Sequence, residues 1–237
     1  MKEHGKRYQT AVKELDKARV YSPQEAIDMV KKMATAKFDE TVELHLRMGL
    51  DPRNSQQQVR GVALLPYGLG KQVRVLVFAQ GEAARSAEQA GADFVGADDL
   101  VKKIEEGWTE FDIAIATPDM MSKVGRLGRV LGRKGLMPNP KSGTVVPAAD
   151  LPKVLQDARK GRVEFKLDRT AIMHVVVGKA SFEQDKLLGN MAAIIEAVVK
   201  ARPAGAKGQY VRTAFLTSSM GPSVKLDLKT TLEMTAA

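Results

Sequence analysis

The chain has 237 residues, with 37 lysines and arginines against 28 aspartates and glutamates and a formal net charge of +9. Hydrophobic residues make up 44%, enough for one large core or two smaller ones, and the absence of cysteine excludes disulfides and thiolate-bound zinc. The basic excess points to a polyanionic partner, and with no membrane-length apolar run and no apolar segment behind Met1-Lys2-Glu3-His4 a soluble, cytoplasmic protein without membrane contact is expected.

Residues 6–18 read as a basic, weakly amphipathic helix. Ser22-Pro23-Gln24-Glu25 is a capping box with proline at the first helical position, opening a helix that ends near Thr35. From Phe38 to Leu50 the chain alternates. Val42, Leu44, Leu46 and Met48 take one face and Thr41, Glu43, His45 and Arg47 the other, the pattern of a half-buried antiparallel strand. A polar loop at Arg53–Gln58, a strand at Val59–Leu65 and a hinge-like Pro66-Tyr67-Gly68-Leu69-Gly70 follow. Then the character changes. Val73–Phe78 is almost continuously apolar, and helices at 82–90 and 98–106 alternate with strands at Phe94-Val95 and Phe111–Ala116, which means βαβ units and a parallel sheet. Thr117-Pro118 caps a short helix, and Asp150 or Pro152 starts another reaching about Lys160.

Alternation returns in Arg162–Asp168, with Val163, Phe165 and Leu167 on one side, and Ile172–Val177 is another strand. Ser181-Phe182-Glu183-Gln184 reads as a second capping box before a helix striped by Leu187, Leu188, Met191, Ile194, Ile195, Val198 and Val199. A basic loop at Arg202–Gly208, strands at 210–216 and 224–228 and a frayed tail at 230–237 complete the chain. The two ends share one style and the middle another. The economical expectation is an α+β domain from both termini, 1–67 and 160–237, with an α/β domain inserted over 68–159.

A parallel insert invites a nucleotide-binding enzyme as an alternative. It is disfavoured because Val73–Phe78 is followed by Ala79-Gln80-Gly81-Glu82 rather than a Gly-x-Gly-x-x-Gly turn, and Lys141-Ser142-Gly143-Thr144 lacks the order of a triphosphate loop. His4, His45 and His174 are scattered, no serine sits in a nucleophile elbow, and the carboxylates are unpaired in sequence. No catalytic residue, metal, cofactor or small-molecule substrate is expected.

Three stretches suit a polyanion instead. Segment 120–149 holds Lys123, Arg126, Arg129, Arg133, Lys134 and Lys141 without one acid, punctuated by glycines 125, 128, 132 and 135. Arginine forks match phosphates, while the competing interpretation is a solvated face. Second, Glu43, Glu164 and Asp168 sit among Arg47, Arg162, Lys166 and Arg169 on polar strand faces. Such carboxylates can accept from guanine amino groups or 2′-hydroxyls, or simply neutralise their neighbours. Third, Thr217-Ser218-Ser219-Met220-Gly221-Pro222-Ser223 is either a polar hairpin turn or a grip on a sugar-phosphate backbone.

Lys37-Phe38-Asp39-Glu40-Thr41-Val42-Glu43, the run from Gly128 to Lys141 (GRVLGRKGLMPNPK) and Ser219-Met220-Gly221-Pro222 together resemble the L-one family of ribosomal proteins, the bacterial members most closely, over essentially the whole chain. The resemblance implies a split α+β sandwich domain with an inserted Rossmann-like three-layer α/β domain. It implies binding to large-subunit rRNA, a place in the mobile stalk of the ribosome, contact with exit-site tRNA as deacylated tRNA leaves, and repression of the protein's own operon through its mRNA leader. By matching position, the implied RNA contacts are Lys37, Phe38, Thr41, Glu43, Lys166, Asp168, Arg169, Thr217, Ser219, Met220 and Gly221, with the 120–149 cations as a secondary basic patch. Two positions depart from the family pattern: Ser219 stands where threonine is more usual, and Ala171 where glycine is common.

Overall fold

A computed structural model describes residues 5–234, so Met1–His4 and the end of the expected tail lie outside the described residues. The elements in order are α1 (Lys6–Glu14), α2 (Pro23–Met33), β1 (Thr41–Met48), β2 (Arg60–Leu64), β3 (Val75–Phe78), α3 (Glu82–Gln89), β4 (Phe94–Gly96), α4 (Asp98–Glu105), β5 (Ile113–Ala116), α5 (Met121–Val124), α6 (Gly128–Lys134), α7 (Leu151–Gly161), β6 (Arg162–Lys166), β7 (Ile172–Lys179), α8 (Gln184–Lys200), β8 (Val211–Ser218), β9 (Val224–Lys225) and α9 (Leu228–Leu232). They form two compact units, Met1–Gly70 with Gly161–Ala237, and Lys71–Lys160.

In the terminal unit β7-β1-β8-β9 make an antiparallel sheet, and β2 pairs with β6 in a second, two-stranded one. Alternation in β1 does what it foretells: Val42, Leu44, Leu46 and Met48 are buried in the core that also takes side chains of α2 and α8, and the other four side chains face outward. The Ser22–Glu25 capping box forms reciprocally. The second expected box does not. Helix α8 starts at Gln184, and the Ser181 hydroxyl donates to Asp39 Oδ2 at 2.7 Å instead, tying the entrance of β1 to the end of β7. The tail expected to fray from 230 is partly helical, since α9 is capped by Asp227 and buries Thr231. Tyr210 lends its hydroxyl to Val198 O at 3.1 Å, and burial raises its pKa to about 12 against the lowering charge of Arg202.

Residues 68–70, expected in the insert, belong to the terminal unit for a visible reason. Fully buried Asn190 accepts from Tyr67 N and donates to Gly68 O and Val177 O. Gly161, at φ +109°, lets the returning chain approach so closely that a Cβ there would stand 2.4 Å from Gly68 Cα.

In the insert unit β4-β3-β5 form a parallel sheet. Leu76 and Phe78 pack toward α4, α5 and α6, while Val75 and Val77 pack toward α3 and α7, so β3 is buried on both faces. That gives three layers, helices–sheet–helices. Thr117 does not cap the short turn after β5 with its side chain; its hydroxyl turns back toward Phe78 O at 3.4 Å.

Candidate nucleic-acid interface

The outward face of β1 carries Thr41, Glu43, His45 and Arg47. Register places Glu43 opposite Thr217, and His45 opposite His174 on one side and Phe215 on the other. The two imidazoles meet edge to face with Nδ1 atoms 2.7 Å apart. Glu43 lies 3.8 Å from His45, and Asp168 lies 3.6 Å from His174. Glu43 on β1 and Asp168 in the loop after β6 are therefore joined through a histidine pair that sequence spacing presented as scattered, and register sets Thr217 of β8 beside Glu43. One nitrogen of that 2.7 Å contact must donate and the other accept, so the pair shares a proton. Burial pushes the His45 pKa down, the charge of His174 pushes it further, and Glu43 opposes both.

Glu40 organises the edge of this face, and it was missing from the expected contacts. It is 2% exposed. Oε1 accepts from Ala36 N at 2.8 Å and Oε2 from Met220 N at 3.0 Å, so one carboxylate ties the approach to β1 to the 217–223 turn. Burial raises its pKa, but the Ser218 hydroxyl, the two N–H groups and the charge of Arg7 outweigh that and hold it below the ordinary glutamate value. The signal was present in the sequence as an acid within the Lys37–Glu43 run, but only the fold shows that a residue preceding an alternating strand points inward.

Two of the turn's hydroxyls, those of Thr217 and Ser219, are turned onto the chain's own backbone. Thr217 Oγ1 points back to carbonyls of Ser218 and Gly221 at 3.1 and 3.3 Å. Ser219 Oγ accepts from Thr41 N at 3.0 Å, and Ser219 N donates to Thr41 O at 3.0 Å. Ser218 is buried, its hydroxyl making no hydrogen bond of its own by geometry although it faces the Glu40 carboxylate. A Cβ on Gly221 would meet Ser218 Oγ at 2.5 Å, so any side chain there would displace the buried Ser218 hydroxyl. What the turn offers outward is Met220, 53% exposed, and two residues before Glu40 in the chain stands Phe38, 57% exposed. An exposed phenyl ring suits stacking against a base, and an exposed thioether suits packing against an irregular apolar surface.

Other expected contacts are distributed less evenly. Thr41 Oγ1 accepts from Lys179 Nζ at 2.9 Å. The Asp168 carboxylate is spent on its own loop, accepting from Thr170 N, Thr170 Oγ1 and Ile172 N at 2.6–2.8 Å; it shapes the loop that presents exposed Arg169. Lys166 is exposed on the two-stranded sheet, opposite Arg60, which pairs with Glu164. Lys37 is exposed just ahead of β1. Ala171 sits at φ +61°, the one non-glycine residue among the described residues with positive φ, which accounts for the preference for glycine at that position.

The secondary basic patch divides in two. Lys123 pairs with Asp98 at 2.8 Å and Lys134 bonds to Thr109 Oγ1. Arg126, Arg129, Arg133 and Lys141 are exposed, and their side chains make no ion pair among the described residues. Gly125 and Gly128 have right-handed helical φ of −53°, and a Cβ at 125, 128 or 132 would meet nothing within 4 Å. Gly132, inside α6, costs about 1 kcal/mol relative to alanine there.

At the carboxyl ends of the parallel strands lies a crevice of about 350 Å³, lined by Gln80, Ala83, Thr117, Asp119, Met120 and Pro147 among others. No lysine or arginine lines it and an aspartate does, which is the wrong chemistry for phosphates.

Comparison with known sequences adds the following. The sequence model of the ribosomal protein L1p/L10e family matches residues 30–222. Proteins named large ribosomal subunit protein uL1 from two strains of Dehalococcoides mccartyi are each 65% identical over 226 residues, covering 95% of this chain and 95% of theirs. The counterpart from a third strain is 63% identical over 233 residues, covering 98% of both.

Proposed function

This chain belongs to the ribosomal protein L1p/L10e family, and from that premise we propose how it works as a constituent of the large ribosomal subunit rather than as an enzyme. The terminal unit binds large-subunit rRNA through the outward face of β7-β1-β8 and the Met220 turn. The observation that carries this is the Glu40 clamp, a buried carboxylate that ties the Met220 turn to the segment leading into β1, on which exposed Phe38 lies. Rigid presentation of two apolar groups over a mixed-sign face favours recognition of RNA shape and bases above bulk charge attraction.

In the ribosome the protein forms the mobile stalk near the exit site and assists departure of deacylated tRNA. The same surface binds the leader of its own operon mRNA and represses its translation. The support for these finer roles is the family premise and the economy of one surface serving two RNAs. The site of action is the cytoplasmic ribosome.

Filter-binding titration of the full chain against large-subunit rRNA tests the terminal surface. Gly221→Val weakens binding by about 1–3 kcal/mol, the size of a lost specific contact. Unchanged affinity in the folded variant refutes the assignment. Competition by the operon leader RNA for the rRNA-bound protein tests the repressor role, and failure to compete removes it.

A further inference from the structure

We propose that His45 and His174 are positioning residues of the rRNA-binding face: the pair takes up one proton from solvent as RNA binds, and so holds the Glu43 carboxylate in place for donor groups on the RNA. The inference rests on the reading of that face as the rRNA surface and adds to it a proton as a linked ligand. Four groups stand in a row across the sheet: Glu43, His45, His174 and Asp168. The two Nδ1 atoms are 2.7 Å apart, Glu43 lies 3.8 Å from His45 Nε2, and Asp168 lies 3.6 Å from His174 Nε2. The row thus offers three places for a proton, one between the rings and one at each outer nitrogen.

Two neutral imidazoles carry one N–H each, so they fill two of the three places. One N–H joins the rings and the other faces one carboxylate. The remaining carboxylate is left opposite a nitrogen lone pair, and the two repel. A third proton removes the conflict, because each ring then turns an N–H toward its acid. His45 is suited to stay neutral in that state. Burial first and the charge of His174 second lower its pKa, against the raising influence of Glu43. Its Nδ1 accepts, its Nε2–H faces Glu43, and the added charge resides on His174, the more exposed ring.

The two acids are not equivalent. Asp168 already accepts from Thr170 N, Thr170 Oγ1 and Ile172 N. The Glu43 side chain accepts no hydrogen bond among the described residues, and His45 is its ion-pair partner. Its aim therefore depends on which nitrogen of His45 holds the proton. A carboxylate already fixed accepts from 2′-hydroxyls or guanine amino groups with less ordering still to be done. RNA in turn brings negative charge to the row, and negative charge favours the protonated pair. The other charges of the face are Arg47 on β1, Lys179 on β7, Lys225 on β9 and Arg169 in the loop, and apolar core lies behind the sheet. Of the side chains on this face, histidine is the type that changes charge between about pH 5 and 8. A proton also fits the pair better than a metal. Two nitrogens on one tetrahedral zinc stand about 3.3 Å apart. Among the described residues no group of three metal-binding side chains converges.

The test is filter binding of the full chain to large-subunit rRNA at fixed salt, from about pH 8 to about pH 6. The complex holds one proton more than its parts, so affinity rises as pH falls, by about 3–10-fold over that range, one proton giving at most ~10-fold per pH unit. In His174→Gln the row has lost its third proton and the rise is absent, so the variant falls further behind the parent at the acid end than at the basic end. His4→Gln, which changes the other histidine of the chain, keeps the parent's rise. Calorimetry in two buffers of different protonation heat shows net proton uptake on RNA binding by the parent and none by His174→Gln. A parent profile flat with pH overturns the proposal, as does a rise that survives in His174→Gln. A deficit of that variant equal at every pH makes the rings merely structural and overturns it too, and a rise abolished by EDTA assigns the pair to a metal instead. Gly221→Val separates the proton link from the surface it rests on. If that variant binds rRNA as the parent does, the surface reading has failed; if it binds weakly while the parent's profile is flat, the proton link alone has failed.

Discussion

Around Glu40 and the 217–221 turn, polar groups are spent on the chain itself; along 124–133 the arginines meet no ion-pair partner among the described residues. The first region has a buried carboxylate, two N–H donors fixed to it, a hydroxyl folded back onto carbonyls, and apolar side chains turned outward. The second has apolar anchors turned inward and bare cations outside. A surface that has already satisfied its hydrogen bonds presents a fixed shape and discriminates by fit. A surface of unpaired cations attracts any phosphate and is governed by salt. Net charge alone would have ranked the second region first.

The largest effect that would break this contrast is at Glu40. Glu40→Gln keeps the shape but replaces one acceptor oxygen with an amide that faces an N–H donor. Since Ala36 and Met220 use different oxygens, one of them loses its partner, and stability falls by about 2 kcal/mol in denaturant titration. The pH dependence has a definite sign. The folded pKa of Glu40 is depressed, so its stabilisation is present above the unfolded glutamate value of 4.5 and is lost as pH falls through the lower folded value. The glutamine variant therefore shows a shallower loss in acid. An unchanged stability and an unchanged acid limb would mean the turn does not depend on the clamp.

Next comes Met220→Ala. The side chain is half-exposed, so folding stability changes little, while rRNA affinity falls by about 1–2 kcal/mol at constant salt slope. A change in slope would erase the distinction between the two surfaces, because it would make the turn an electrostatic contact as well.

These two residues also show what could be seen before the fold was known. Alternation in Val42–Met48, the continuous apolar run of β3 and the stripe of α8 are local periodicities, and local periodicity survives in sequence. Met220 was named within the 217–223 turn and, by matching position, as an RNA contact the resemblance implies. Glu40 was quoted within a motif but not singled out, since Met220, whose N–H it accepts, lies 180 residues away in the chain. The His45–His174 contact was hidden for the same reason: cross-strand register joins residues separated by 129 positions. The second capping box failed at Ser181 because a tertiary acceptor, Asp39, competed for the hydroxyl that local chemistry would have given to the helix.

Ala171→Gly carries a smaller effect of opposite sign. The residue sits at φ +61° between Asp168, which shapes the loop, and β7. Removing Cβ relieves left-handed strain and raises stability by about 1 kcal/mol, seen as a shifted denaturation midpoint with unchanged slope. Loss of stability instead would show that the loop relies on the methyl group.

The smallest effect is at the histidine pair, and it tests whether the outward sheet face is electrostatically coupled across its strands. Burial and the charge of His174 depress His45, against the raising influence of Glu43. A histidine whose folded pKa is lowered leaves the native state binding fewer protons than the unfolded chain, so its contribution is undiminished above the unfolded value of 6.5 and declines as pH falls through the folded value. His174→Gln removes the neighbouring charge while leaving burial in place. In proton NMR the His45 titration then moves upward toward 6.5, and the stability of the variant falls less steeply below neutrality than that of the parent. Asp168 and Glu43 face the same rings from the loop after β6 and from β1, so doubling the variant with Glu43→Gln moves His45 back down. If His45 titrates identically in all three proteins, the face is a set of independent side chains, and the joining of its three stretches is one of position alone.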